Sequence, residues 1–167
     1  MKRICFLTLL LASGICAAAQ TSGSAAATLV GVWSLVAVEN INPDGSKTLP
    51  YGEAPQGQLI FTGSGEYSIH ILKAQRPRVA ANDKNRATAE ENAALVQGNN
   101  SHFGTYTVDP QRKTITFHVA HAFYPNWEGT VQERNYTLAG DTLSYVVTNT
   151  TNGGAIKAVV IWKRQKG

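Results

Sequence analysis

The chain has 167 residues, 15 basic and 11 acidic, for a formal net charge of +4, and 43% of it is apolar. With 15 Gly, 6 Pro and only 16% charged residues, it is neither a disordered polyelectrolyte nor a coiled coil nor a collagen-like chain. The length suits one domain of ordinary size preceded by an address segment.

The address segment comes first. Met1-Lys2-Arg3 is basic, Ile4 to Leu11 is almost unbroken apolar sequence, and Ala17-Ala18-Ala19 offers the small residues a signal peptidase reads. This is the layout of a secretory signal over residues 1–19, too short in its apolar part for a stable membrane span. Ile15 before Cys16 departs from the small residue a lipoprotein signal needs, which argues against lipidation. Removing 19 of the 167 residues leaves 148, takes away both cysteines (Cys5 and Cys16), and lowers the net charge to +2 because Lys2 and Arg3 leave as well. The mature protein is therefore expected to be exported, periplasmic or secreted, with no disulfide and no thiolate chemistry. Its basic residues are scattered and not interleaved with aromatics, so nucleic acid is not expected as a partner.

Residues 20–28 are Gln, Thr, Ser, Gly and Ala and read as a flexible leader. The barrel-forming text occupies 29–165. A first strand is expected over Gly31 to Asn40, with Trp33, Leu35 and Ala37 on one face and Val32, Val36 and Val38 on the other. Asn42-Pro43-Asp44-Gly45 is a turn. Strands follow at Gly57 to Thr62 and at Glu66 to Leu72, where Tyr67, Ile69 and Ile71 alternate with Glu66, Ser68 and His70. Thr88-Ala89-Glu90-Glu91 reads as a capping box, opening a helix from Ala89 to Gln97 that Gly98 ends. Its apolar stripe is weak, which places it on a surface or over an opening. Further strands are expected at Ser101 to Val108, Thr114 to His121, Trp127 to Leu138, Thr142 to Thr148 and Ala155 to Arg164. About eight sequential strands joined by short turns predict an all-β fold, an antiparallel up-and-down β-barrel with one short helical insertion. A barrel of this size is either filled or holds one small molecule.

Several motifs resemble one family. Leu29-Val30-Gly31-Val32-Trp33 looks like the Gly-x-Trp opening of lipocalins. Gly57 to Thr62 with Gly65 and Ser68, then Arg76-Pro77-Arg78, Phe103-Gly104-Thr105-Tyr106, His118, Pro125-Asn126-Trp127, Gly129-Thr130, Gln132 and Arg134, and finally Trp162, resemble successive motifs of the bacterial and fungal lipocalin-like domain family. The resemblance implies a lipocalin-like, calycin-type barrel that binds a small ligand. Some relatives of such barrels are isomerases or cyclases. The chain departs from the family in a helical segment rich in Asn and Ala, and in its signal peptide, which argues against a cytoplasmic biosynthetic role.

Trp33 is expected to plug the closed end, under a basic residue drawn from Arg134, Lys163 and Arg164. The candidate ligand-binding residues are His118, Arg134, Gln132, Tyr106, Tyr67 and Trp127. His118 faces away from Ile115, Phe117 and Val119. If those three line the interior, His118 meets water; if they pack outside, it enters the cavity. An inward His118 binds a polar group or moves a proton. Gln132, Arg134 and Tyr136 share a face, and an inward Arg134 implies an acidic ligand. Trp127 belongs to an aromatic loop, Phe123 to Trp127, suited to a barrel mouth. His118 and His121 are three apart, on opposite faces of a regular strand, and a shared metal requires a bulge near Ala120. No metal, cofactor or catalytic residue is assigned. The expected function is binding of a small, apolar or amphipathic molecule; the alternatives are an isomerase or cyclase using the same cavity, and a filled barrel with a structural or interaction role.

Overall fold

Strict alternation of inward and outward side chains builds most of the strands. In the computed structural model, which describes residues 26–148, 150–151 and 157–166, the strands are β1 (Gly31–Ile41), β2 (Lys47–Thr48), β3 (Gln56–Phe61), β4 (Glu66–Leu72), β5 (Asn99–Asp109), β6 (Thr114–Ala122), β7 (Val131–Ala139), β8 (Thr142–Val147) and β9 (Lys157–Arg164). Each pairs antiparallel with its neighbour, in the order β2-β1-β3-β4-β5-β6-β7-β8-β9, and β9 returns to pair with β1. The result is a closed up-and-down barrel of eight strands, with two-residue β2 appended to the far end of β1. Closure leaves no long unpaired edge. The all-β barrel expected from the sequence is the observed fold.

The signal segment 1–19 and residues 20–25 lie outside the described residues. Residues 26–29 form a helical turn rather than a flexible leader, with Ala26 packed on the core and Leu29 fully buried. The capping box is present: Thr88 accepts from the Glu91 amide and the Glu91 carboxylate accepts from the Thr88 amide, opening helix α1 (Ala89–Gln97). The helix buries none of its residues.

Two bulges change the alternation. The β1–β9 register shifts between Leu35 and Ala37. Val36 is pushed outward, and the inward series runs Trp33, Leu35, Val38, Asn40. Ala37 and Val38 therefore exchange the faces that plain alternation predicts, because the extra residue resets the period. The second shift lies opposite Phe103 and Gly104 on β5, leaving Ala120 of β6 unpaired. A Cβ at Gly104 would stand 2.0 Å from the His118 carbonyl oxygen, so the close approach of β6 at this bulge requires glycine. β7 also starts later than predicted. Pro125–Trp127 form a 3-10 turn, Gly129 has φ of 72°, and the strand begins at Val131.

Candidate ligand-binding site

The two ends of the barrel differ. At the end where β1 begins and β9 finishes, Leu29, Trp33, Leu59, Phe61, Ile115, Leu143 and Trp162 are almost wholly excluded from solvent. The Trp33 indole Nε1 donates to the Leu29 carbonyl at 2.9 Å. The Arg164 guanidinium lies 4.0 Å from the Trp33 ring centroid and donates to the carbonyls of Val30 and Thr28. Of the three basic residues considered, Arg164 is the one that stacks. This end is filled and capped.

The other end, where β4, β6 and β8 finish, is open. A cavity of about 470 Å³ lies there. Its apolar side comes from Val147 of β8, Ala158 and Val160 of β9 and Val38 of β1, joined by Ile71 of β4. The polar side comes from Asn100 of β5, from Gln132, Glu133 and Arg134 of β7, and from Thr130 just before it. Trp127, Tyr51 and Thr150 belong to the rim. A deeper recess of about 60 Å³ shares Ile71, Asn100, Gln132, Arg134, Val147 and Val160 with the chamber, and adds Ile69, His102, Phe117 and Tyr145. Neither space is lined by residues 73–98, so α1 is not its cover.

A ladder of hydrogen bonds fixes the polar wall. The Thr130 hydroxyl donates to the Trp127 carbonyl at 2.6 Å. Gln132 Nε2 donates to Thr130 Oγ1 at 3.3 Å. Arg134 Nη2 donates to Gln132 Oε1, and its Nη1 to the Glu133 carbonyl at 2.9 Å. Among the described residues no carboxylate pairs with Arg134; the ion pairs are Lys47–Glu39, Arg112–Glu133 and His121–Glu128. Burial lowers the Arg134 pKa from its ordinary value, while Tyr145 and Tyr67 act the other way. Guanidinium stays charged at neutral pH all the same. Across the recess, the Tyr67 hydroxyl and His102 Nδ1 are 2.8 Å apart. Burial, then the Arg134 and His70 charges, push His102 down to about 4. Burial pushes Tyr145 up to about 12 and raises Tyr67 as well. At neutral pH the recess therefore carries one positive charge. Asn40 and Asn100, both on the chamber wall, each keep an amide oxygen buried without a partner.

The six expected residues divide. Gln132 and Arg134 line both spaces, and Trp127 lines the chamber and meets the His102 ring edge-on at 5.8 Å. Tyr67 is buried and does not line the recess itself; it backs two residues that do, His102 and Phe117. Tyr106 points inward but at the filled end, where its hydroxyl donates to the Thr62 carbonyl at 3.0 Å. His118 does not reach the cavity. Ile115, Phe117 and Val119 are the buried face of β6, so His118 is exposed on the outer wall. The face of Gln132 and Arg134 continues that of Phe117 and Ile115, their direct partners, rather than that of His118. His121 also lies outside, opposite exposed Phe103, because of the bulge at Ala120. Among the described residues, no group of three or more His, Cys, Asp or Glu could hold a metal ion. No helix of the described residues is long and apolar enough to cross a membrane.

His102, Asn100, Asn40 and Tyr145 also belong to the polar lining and were not among the expected residues. The signal for His102 and Asn100 is the alternation Asn100, His102, Gly104, Tyr106, Val108, which carries the apolar face of β5 back to the mouth. Asn40 carries no such signal, since the Val36 bulge alone turns it inward.

The search of curated proteins finds no match. A family model described as the lipocalin-like domain matches residues 30–165. The match runs from the first strand to the end of the last and spans the closed barrel together with its open chamber; the chain belongs to the lipocalin-like domain family.

Proposed function

We propose that this protein is an exported binding protein for a small, apolar or amphipathic molecule held in the open half of the barrel. The observation that carries the reading is the contrast between the two halves. One half is packed solid, whereas the other keeps about 470 Å³ between an apolar arc and a polar ladder. That volume falls within the roughly 300–1,000 Å³ usual for small-molecule sites. Burial against Val38, Ile71, Val147, Ala158 and Val160 supplies affinity, and Gln132 and Arg134 fix orientation. Trp127 closes one side of the mouth. Export rests on the layout of residues 1–19.

The isomerase or cyclase alternative has His102 as its candidate proton carrier in place of outward-facing His118. An imidazole with a pKa of about 4 is a weak base at neutral pH. The geometry accordingly supports binding better than proton transfer.

The test is a titration with N-phenyl-1-naphthylamine, an uncharged probe that fluoresces in apolar surroundings. Saturable one-to-one binding is expected, and Ala158→Phe should weaken it by occupying part of the chamber while the far-ultraviolet spectrum stays native. Absent or non-saturable binding, or binding that Ala158→Phe leaves intact, rejects the chamber as the site. The intact mass of protein recovered from a periplasm tests export; the expected chain begins at Gln20.

A further inference from the structure

We infer that the recess at the floor of the chamber is a subsite for a single carboxylate, and that the ligand is an amphipathic monocarboxylic acid that enters acid first. The inference rests on the binding function proposed above and names the class of molecule that fills the site.

Charge argues for an anion. Arg134 stands on the inner face of the barrel with its guanidinium bonded to a backbone carbonyl and to the Gln132 amide oxygen. Neither partner carries a charge. A cation drawn out of water is costly until an opposite charge reaches it, and among the described residues no carboxylate does so. His102 and Tyr145 stay neutral at pH 7, so among the residues that line the recess Arg134 is the only charged group.

Charge number and size argue for a carboxylate. One guanidinium balances one negative charge, whereas a phosphate monoester brings about two. The recess of about 60 Å³ admits a group of a few heavy atoms. Guanidinium and carboxylate are matched planar groups that bond in a fork. The remaining N–H groups of Arg134, the ring of neutral His102 and the side-chain amide of Asn100 are the polar groups at hand.

Position argues for acid-first entry. Arg134 lines both the recess and the chamber, and Phe117 and Tyr145 close the recess from below. Beyond the recess the chamber turns apolar along Val147, Ala158, Val160 and Val38. An acid group at Arg134 thus leaves its hydrocarbon part lying along that arc toward Trp127 and the rim. The ladder from Trp127 through Thr130 and Gln132 holds the guanidinium in place before the ligand arrives, which reduces the ordering cost of binding.

The test compares decanoate with decanol as competitors for bound N-phenyl-1-naphthylamine at pH 7. Wild-type protein should bind decanoate about tenfold to a hundredfold more tightly than decanol. Arg134→Gln should remove the preference by weakening decanoate much more than decanol. Equal affinities in the wild type would overturn the carboxylate subsite and leave the binding function standing. A preference that survives in Arg134→Gln would do the same. Failure of the probe and both competitors to bind would overturn the binding function and the subsite with it. The wild-type comparison decides the matter even where Arg134→Gln does not fold.

Discussion

Acidification probes the half-buried His102 directly. Its Nδ1 shares a hydrogen bond with the Tyr67 hydroxyl at 2.8 Å, and its ring touches Phe117 and Trp127. Burial first, then the Arg134 charge and His70, hold the imidazole at about 4 against an ordinary 6.5. The folded state therefore resists a proton that the unfolded chain accepts. In the window between about pH 6.5 and 4 the unfolded chain binds more protons, so stability falls as pH falls. Above pH 6.5 the imidazole is neutral in both states and the contribution is intact. At 1.36 kcal/mol per unit, the loss approaches roughly 3 kcal/mol by pH 4, a large part of a typical domain's ~5–15 kcal/mol. The assay is urea unfolding of wild type and His102→Gln at pH 7.5 and pH 4.5. The wild type should lose about 2–3 kcal/mol more than the variant over that interval. The exposed carboxylates Asp44, Glu66, Glu90 and Glu91 have lowered pKa values through their hydrogen bonds, and they are common to both proteins, so they cancel in the difference. An equal loss in the two proteins would refute the account of His102 as a half-buried, neutral group.

Two further perturbations test the scaffold. Arg164→Ala removes the cation over Trp33 and the two bonds to Thr28 and Val30; a loss of about 1–3 kcal/mol is expected, read as a lower urea midpoint with unchanged slope. Arg164→Lys should recover only part of it, because an ammonium cannot reproduce the planar fork; full recovery would assign the effect to charge alone. Gly104→Ala places a methyl 2.0 Å from the His118 carbonyl oxygen and 2.8 Å from the Ala120 nitrogen. Both atoms are backbone and cannot swing away, so a loss of about 2 kcal/mol or more is expected, a fall in melting temperature of about 5 °C or more. An unchanged melting temperature would mean that the bulge at Ala120 relaxes freely.

Most of the barrel was legible because its signals are local. Tyr67, Ile69 and Ile71 alternate with polar neighbours and do form the inner face of β4. Thr88 and Glu91 close a capping box within four residues and need nothing from elsewhere. Gln132, Arg134 and Tyr136 share one face of β7 for the same reason. What the alternation left open was the side on which a face lies when both of its options carry plausible residues. On β6 the choice between Phe117 and His118 is settled by partners, since Phe117 stands opposite Gln132 and Tyr106 while His118 stands opposite exposed Val131 and Thr105. Pairing is a long-range property, and a single strand read alone does not contain it.

The bulges carry the same lesson into the site. A strand that kept strict alternation from Trp33 would bury Ala37 and Glu39 and leave Val38 and Asn40 outside. The extra residue at Val36 reverses this halfway along β1. Trp33 and Leu35 then serve the filled end, and Val38 and Asn40 serve the chamber. Without the reversal, the Glu39 carboxylate would enter the chamber and supply the negative charge that Arg134 lacks. With it, Glu39 stays on the outer wall bound to Lys47 at 2.7 Å. The bulge on β1 thus fills one half of the barrel with hydrocarbon and keeps a second carboxylate, beside that of Glu133, off the wall of the other half. It is the same irregularity that hid Asn40 from a reading of the sequence, and it is one reason a ligand anion has Arg134 to itself.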